Sequence, residues 1–286
     1  MTTTLVPGAV TGVVDADGTP ISFEDSRDPG DGRTPIVLVH GTGGSPATHF
    51  GYIYPLLATR GRVIAITLAD PVGRGAHDLQ ISDFVDQVAG VMTHALNGER
   101  AALVGYSLGA VVTAVVAAKH PDLIHSLTLV CGWAQTDTQQ VLRNEVWRGL
   151  RVSGADLIKE FSVYSAFGGP FLAARTRDEI QPVIDGVVIT PFTDAQMELN
   201  RRIDIRDELS RIHAPTVIVG CTYDQMVPVR HQKYLFGAID NARYTEISSG
   251  HAVVFERPAE LLRVIEQFTT APGRYPAGAV IPELKP

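Results

Sequence analysis

From Ala101 to Ala118 the chain reads AALVGYSLGAVVTAVVAA, a run without a single charged side chain. Such a run has two physical outlets. At about 18 residues it reaches the lower limit for a membrane-spanning helix, or it is buried in a globular core. Its centre decides between them. Gly105, Tyr106, Ser107 and Gly109 interrupt it, a β-type apolar stretch precedes Gly105, and helix-compatible residues follow from Leu108. A buried strand turning sharply into a buried helix explains the composition, and the chain is expected to carry no membrane span.

The flanking pattern agrees with a strand–turn–helix unit in the middle of a sheet. Val10–Val14 and Ile21–Glu24 flank Asp17-Gly18, a hairpin signal. Strands are then expected at Ile36–Val39, Val63–Leu68, Ala102–Tyr106, Leu127–Cys131, Thr216–Cys221 and Tyr244–Ile247. Helices are expected at Pro46–Thr59, Ile81–Leu96, Leu108–Lys119, Arg230–Phe236 and Ala259–Thr269. Ile81, Phe84, Val85, Val88, Val91 and Met92 show the helical spacing most clearly. Strand–helix alternation of this kind predicts an α/β fold, a mostly parallel central sheet with helices on both faces.

Between Gly132 and Arg211 the alternation stops. That stretch has no convincing strand beyond a short apolar run at Val187–Ile189, and it is too long for an ordinary loop. A mainly helical subdomain over residues 133–211, inserted into a core of residues 1–132 and 212–286, is therefore expected. The Pro/Gly-rich tail from Ala271 reads as a surface extension.

Composition narrows the function classes. Of 286 residues 45% are hydrophobic, which is ample for a core, and the formal charge is −7 without any Lys/Arg cluster. Nucleic acid and anionic membrane are thus unexpected as main partners. Two cysteines are too few for a disulfide framework or a structural zinc site, and no cofactor motif is read. The opening MTTTLVPGAV lacks a charged segment and an apolar run of signal-peptide length, so a cytoplasmic location is expected.

The chemistry centres on Gly105-Tyr106-Ser107-Leu108-Gly109-Ala110. A serine at a tight strand-to-helix turn needs small neighbours two positions either side, and here both are glycine. Its Oγ then projects at a helix N-terminus, where unpaired N–H groups favour an anion. A neutral hydroxyl is a poor nucleophile and needs a base. Nine histidines are available, and reacting groups in open α/β sheets gather at the C-terminal ends of strands. His251, three residues past Ser248, follows the Tyr244–Ile247 strand at that end. His77 also lies after a strand and is not excluded by position. The carboxylate that orients the base should follow a strand too, which selects Asp224, with Asp137 as the alternative. Asp240 precedes a strand and is not expected to serve.

His40-Gly41-Thr42-Gly43-Gly44 follows another strand. A tetrahedral oxyanion needs two backbone N–H donors about 3 Å away. Leu108 is expected to supply one, and Thr42 or Gly43 the other. A dinucleotide phosphate loop is the competing reading, encouraged by Asp70, but it requires a small residue where Pro46 stands.

HGTGG at 40–44, GYSLGA at 105–110, GCTYDQMVP at 220–228 and SGHAVVFERP at 249–258 together resemble the α/β-hydrolase fold with a lid inserted after the sixth strand. The resemblance implies Ser107 as nucleophile, His251 as base and acid, Asp224 as orienting carboxylate, and an acyl-enzyme cleared by water. Serine rather than aspartate at 107 argues against dehalogenase and epoxide hydrolase chemistry. The segment Ala69-Asp70-Pro71-Val72-Gly73-Arg74-Gly75 departs from the family's usual pattern on the substrate side.

The expected substrate is a small, apolar, acyl-bearing molecule: an ester, thioester or lactone. Tyr106, Leu108 and Trp133 are expected beside it, and Arg143, Arg148 and Arg151 either meet a substrate anion or face solvent. Elimination, cyclisation or acyl transfer at the same site is the alternative activity, because fold does not dictate function. Cys131 and Cys221 end neighbouring strands and are expected as a buried reduced pair.

Overall fold

A computed structural model of the chain describes residues 4–27, 30, 32–75 and 77–283. The elements in order are β1 (Val10–Ala16), β2 (Thr19–Asp25), β3 (Ile36–Val39), α1 (Pro46–Phe50), α2 (Tyr54–Ala58), β4 (Val63–Ile66), α3 (Ile81–Leu96), β5 (Ala101–Tyr106), α4 (Leu108–Lys119) and β6 (Ile124–Val130). Then come α5 (Thr138–Ser153), α6 (Ile158–Ala166), α7 (Gly169–Ala173), α8 (Arg177–Asp185), α9 (Pro191–Asn200) and α10 (Arg206–Leu209). The chain continues through β7 (Thr216–Cys221), α11 (Arg230–Ala238), β8 (Ala242–Ile247), α12 (Val253–Glu256) and α13 (Pro258–Thr270).

Burial along each strand reports its place in the sheet. β3, β4, β5 and β7 are buried at every position and occupy the interior, where both faces are covered. β1 alternates between half-buried and exposed residues and forms one edge. The eight-stranded order is β1-β2-β4-β3-β5-β6-β7-β8, antiparallel through β1, β2 and β4 and parallel from β4 to β8. This is an α/β-hydrolase fold. Val37, Val39 and Leu103 pack with α3 and α4 on one face of the sheet. Leu38, Val104 and Val219 pack with α1, α2 and α13 on the other.

The uncharged run divides as β5 and α4 around Ser107, and every α4 residue from Leu108 to Ala117 is buried. Among the described residues no helix is long and apolar enough to cross a membrane.

Two local expectations change. Pro46–Thr59 is not one helix but two, α1 and α2. Pro55 heads the second: in a continuous helix its ring would collide with the Gly51 carbonyl and its missing N–H would leave that carbonyl unbonded. The tail from Ala271 is more than a surface extension. It covers the free edge of β8, with Tyr244 N–H donating to Ala279 O at 3.0 Å and Ile281 N–H donating to Tyr244 O at 2.7 Å. Ile281 is buried in the core as a result.

Helices α5–α10 lie between β6 and β7, and Val187–Ile189 forms no strand. Val163, Phe167, Ile180 and Ile184 make a small cluster that includes Ala252. Ala195, Leu199, Ile203, Ile205 and Leu209 instead join the main core beside α4. The intervening segment is thus anchored at its end and separately cored in its middle.

Candidate active site

Ser107 adopts φ 56°, ψ −121° between β5 and α4. The turn is tight enough that a Cβ on Gly109 would lie 2.2 Å from the Val39 carbonyl oxygen, and one on Gly105 would lie 2.2 Å from Thr113 Oγ1. The glycine spacing read from the sequence therefore has a steric cause: any larger side chain meets backbone or a buried hydroxyl.

Three side chains from three strand ends converge. His251, in the loop after β8, has Nε2 2.9 Å from Ser107 Oγ. Its Nδ1 stands 2.7 Å from Asp224 Oδ2, after β7. The other carboxylate oxygen, Oδ1, accepts from the N–H groups of Met226 and Val227 at 2.8 Å each. Asp224 is thereby fixed from both sides, and Nδ1–H donation to it leaves Nε2 as the acceptor that faces the hydroxyl. All three side chains are buried.

The alternatives weighed from sequence are placed elsewhere. Asp137 caps the N-terminus of α5, with Oδ1 accepting from Gln140 N at 3.0 Å and Oδ2 contacting Arg230 and His231. Although partial burial pushes its carboxyl up, the Gln140 N–H and Arg230 outweigh that and hold it below the usual range. His77 is exposed, and its carbonyl accepts from Arg202.

Two histidines hold the loop after β3. His40 Nε2 accepts from Leu68 N–H at 3.0 Å, so its proton sits on Nδ1 and donates to Gly41 O at 2.8 Å. His49 Nδ1 accepts from Gly41 N–H at 3.1 Å, which puts its proton on Nε2. Gly41 is thus held through both its N–H and its carbonyl. Burial lowers the pKa of His40 to about 4 and that of His49 to about 3, so both are neutral and these tautomers persist. His49 reads from sequence as an ordinary helix position. Its role depends on α1 folding its ring back under Gly44, which no local pattern reveals.

The loop also distinguishes between the two candidate donors. Gly43 N–H is committed to Gln196 Oε1 on α9 at 2.7 Å. Thr42 N–H and Leu108 N–H have no acceptor among the described residues; Thr42 lines the same cavity as Ser107, and Leu108 follows Ser107 at the start of α4. Thr42 Oγ1 accepts from Asn200 Nδ2 at 2.9 Å.

A cavity of about 340 Å³ opens over Ser107, at the small end for ligand sites. Thr42, Gly43, Tyr106 and Trp133 line it. Leu108 does not: its side chain is wholly buried in the core. Tyr106 O–H donates to the His251 carbonyl at 2.9 Å, and burial pushes its phenol well above the ordinary value. Trp147, Asn144 and Met197 also line the cavity; from sequence their segment reads only as part of a mainly helical insertion, without helix bounds or an inward face. Cys131 and Cys221 lie behind His251 with sulfurs 3.1 Å apart, both free and buried, and burial pushes both thiols up.

Fold and site together define a hydrolase-type enzyme. The chain belongs to the alpha/beta hydrolase family, whose model matches residues 36–264. It is 29% identical over 247 residues to pyrrolizixenacetamide deacetylase of Xenorhabdus hominickii, covering 83% of this chain and 92% of that protein. It is 26% identical to the pimeloyl-[acyl-carrier protein] methyl ester esterase of Aeromonas hydrophila, covering 82% and 94%. The fold is similar to that of an enol-lactonase from Burkholderia xenovorans, with TM-score 0.76 and 20% identity, over 91% of this chain and 100% of that one.

Proposed function

We propose that the chain is a serine hydrolase that cleaves a small carboxylic ester, thioester or lactone through an acyl-enzyme. The observation that carries this reading is the continuous line from Asp224 through His251 to Ser107, at 2.7 and 2.9 Å. Relatives named as a deacetylase and a methyl ester esterase support transfer of an acyl group from nitrogen or oxygen to water.

In this mechanism Ser107 Oγ adds to the substrate carbonyl while His251 Nε2 takes its proton. The developing oxyanion accepts from Thr42 N–H and Leu108 N–H, each donor contributing roughly 3–4 kcal/mol to the transition state. Asp224 stabilises the imidazolium without taking its proton. His251 then returns the proton to the leaving group, and a water attacks the acyl-enzyme with the same base. Residues 133–211 act as the lid: α5, α6 and α9 roof the serine and shape its pocket.

An active-site-directed fluorophosphonate tests the reading directly. Mass spectrometry should find the label on Ser107. Absence of label on folded protein would reject the nucleophile assignment.

A further inference from the structure

Three arginines of α5 meet different fates. Arg151 pairs with Asp194 at 3.1 Å and Arg148 lies 3.9 Å from Glu198, both acids on α9. Arg143 has no carboxylate within ion-pair distance among the described residues. It donates to the neutral Asn144 Oδ1, and its Nε is buried without an acceptor. Yet Arg143 is half-buried in the cavity wall with Gln140, Asn144 and Trp147, the inward face of α5 at helical spacing.

The wall around it is of one sign. No Asp or Glu is among the described residues lining the cavity, and Val163, Phe167, Ile189 and Met197 supply apolar surface. Burial lowers the Arg143 pKa to about 10, with the Asp224 charge opposing the shift, so the guanidinium remains charged at neutral pH. A half-buried cation with no carboxylate in contact with it carries a desolvation cost that an arriving anion would offset.

The neighbouring amides are oriented for the same guest. Asn144 Oδ1 is engaged by Arg143, and Gln140 Oε1 accepts from the Asp137 N–H at 3.1 Å. Both amide oxygens already accept one bond, whereas neither NH₂ group has an acceptor among the described residues, so the wholly uncommitted groups are donors. A planar guanidinium with two NH₂ donors matches the two oxygens of a carboxylate.

We infer that Arg143 is a specificity-determining residue, and that with Asn144 and Gln140 it binds a carboxylate on the substrate, distinct from the carbonyl that Ser107 attacks. The inference deepens the hydrolase reading and rests on Ser107 marking the reacting part of the same cavity. It narrows the substrate class to acyl compounds that also carry a free carboxylate.

Binding tests it without turnover. Both tryptophans of the chain, Trp133 and Trp147, line the cavity, so their fluorescence reports occupancy. Hexanoate and hexanamide have the same length and differ in charge. Wild-type protein should bind hexanoate at least tenfold more tightly, about the contrast expected of a charge-assisted pair. Arg143→Gln should reduce that preference to within twofold, and Arg143→Lys should retain part of it. If Arg143→Gln does not fold, Arg143→Met reads the same contrast. Equal wild-type affinities, or no binding of either, would overturn the inference. So would a preference that survives loss of the guanidinium, which would place the carboxylate on the backbone N–H groups beside Ser107. Failure of the hydrolase reading is seen separately, as absence of fluorophosphonate label on Ser107.

Discussion

Gly43 donates its N–H to Gln196 Oε1 at 2.7 Å, joining the loop after β3 to helix α9. Gln196 is almost wholly buried but Gly43 is exposed, so water can take over part of the bond when the side chain is lost. Gln196→Ala leaves Gly43 N–H without its acceptor and frees the loop that presents Thr42. A stability loss of about 0.5–1.5 kcal/mol is expected in urea unfolding. kcat/KM should fall about tenfold, read with a chromogenic ester.

Ser107→Ala removes the proposed nucleophile while keeping the turn. Turnover is expected to fall by several orders of magnitude, with thermal unfolding little changed. Near-normal turnover by the folded variant would contradict the acyl-enzyme route.

Gly109→Ala should fail for a steric reason. The new methyl would stand 2.2 Å from the Val39 carbonyl, a backbone atom in the centre of the sheet. A loss of at least ~3 kcal/mol, or failure to accumulate soluble protein, is expected. A melting temperature within a degree or two of wild type would show that the turn is looser than described.

Acid should destabilise the fold through His40 and His49. Burial holds them near pKa 4 and 3, against 6.5 when exposed. As pH falls below 6.5 the unfolded chain takes up protons that the folded chain refuses. Stability is therefore fully present above 6.5 and is lost as pH falls, by about 1.4 kcal/mol per pH unit for each histidine. His231, also lowered chiefly by burial, acts in the same direction. Urea unfolding at pH 7.5 and 5.5 should differ by roughly 2–3 kcal/mol. His49→Asn should remove about half of that difference.

Hydrolysis and its alternatives part over the fate of water. In heavy-oxygen water the released acid should carry one solvent oxygen, introduced when water attacks the acyl-enzyme. Product free of the heavy isotope would favour elimination, cyclisation or transfer to another acceptor.

What could be read along the chain was what local chemistry constrains. Runs of Val, Ile and Leu with no polar alternation mark buried parallel strands, and glycines at 105 and 109 mark a turn that tolerates nothing larger. Strand ends then bring forward Ser107, Asp224 and His251, with Asp137 and His77 as alternatives, because the sheet gathers its loops on one side whatever the intervening sequence. Other features have no local signature. His49 clamps Gly41, Gln196 engages Gly43, Ile281 seals β8, and Arg143 turns into the cavity while Arg148 and Arg151 find acids. Each depends on which surfaces meet when distant segments pack, and side-chain periodicity tells only that a face is buried, not what it is buried against. By itself, then, the sequence determined the architecture and the strand ends where candidate site residues gather; tertiary packing alone decided the tautomers of His40 and His49, the contacts of Gly41 and Gly43 and the charge of the pocket wall.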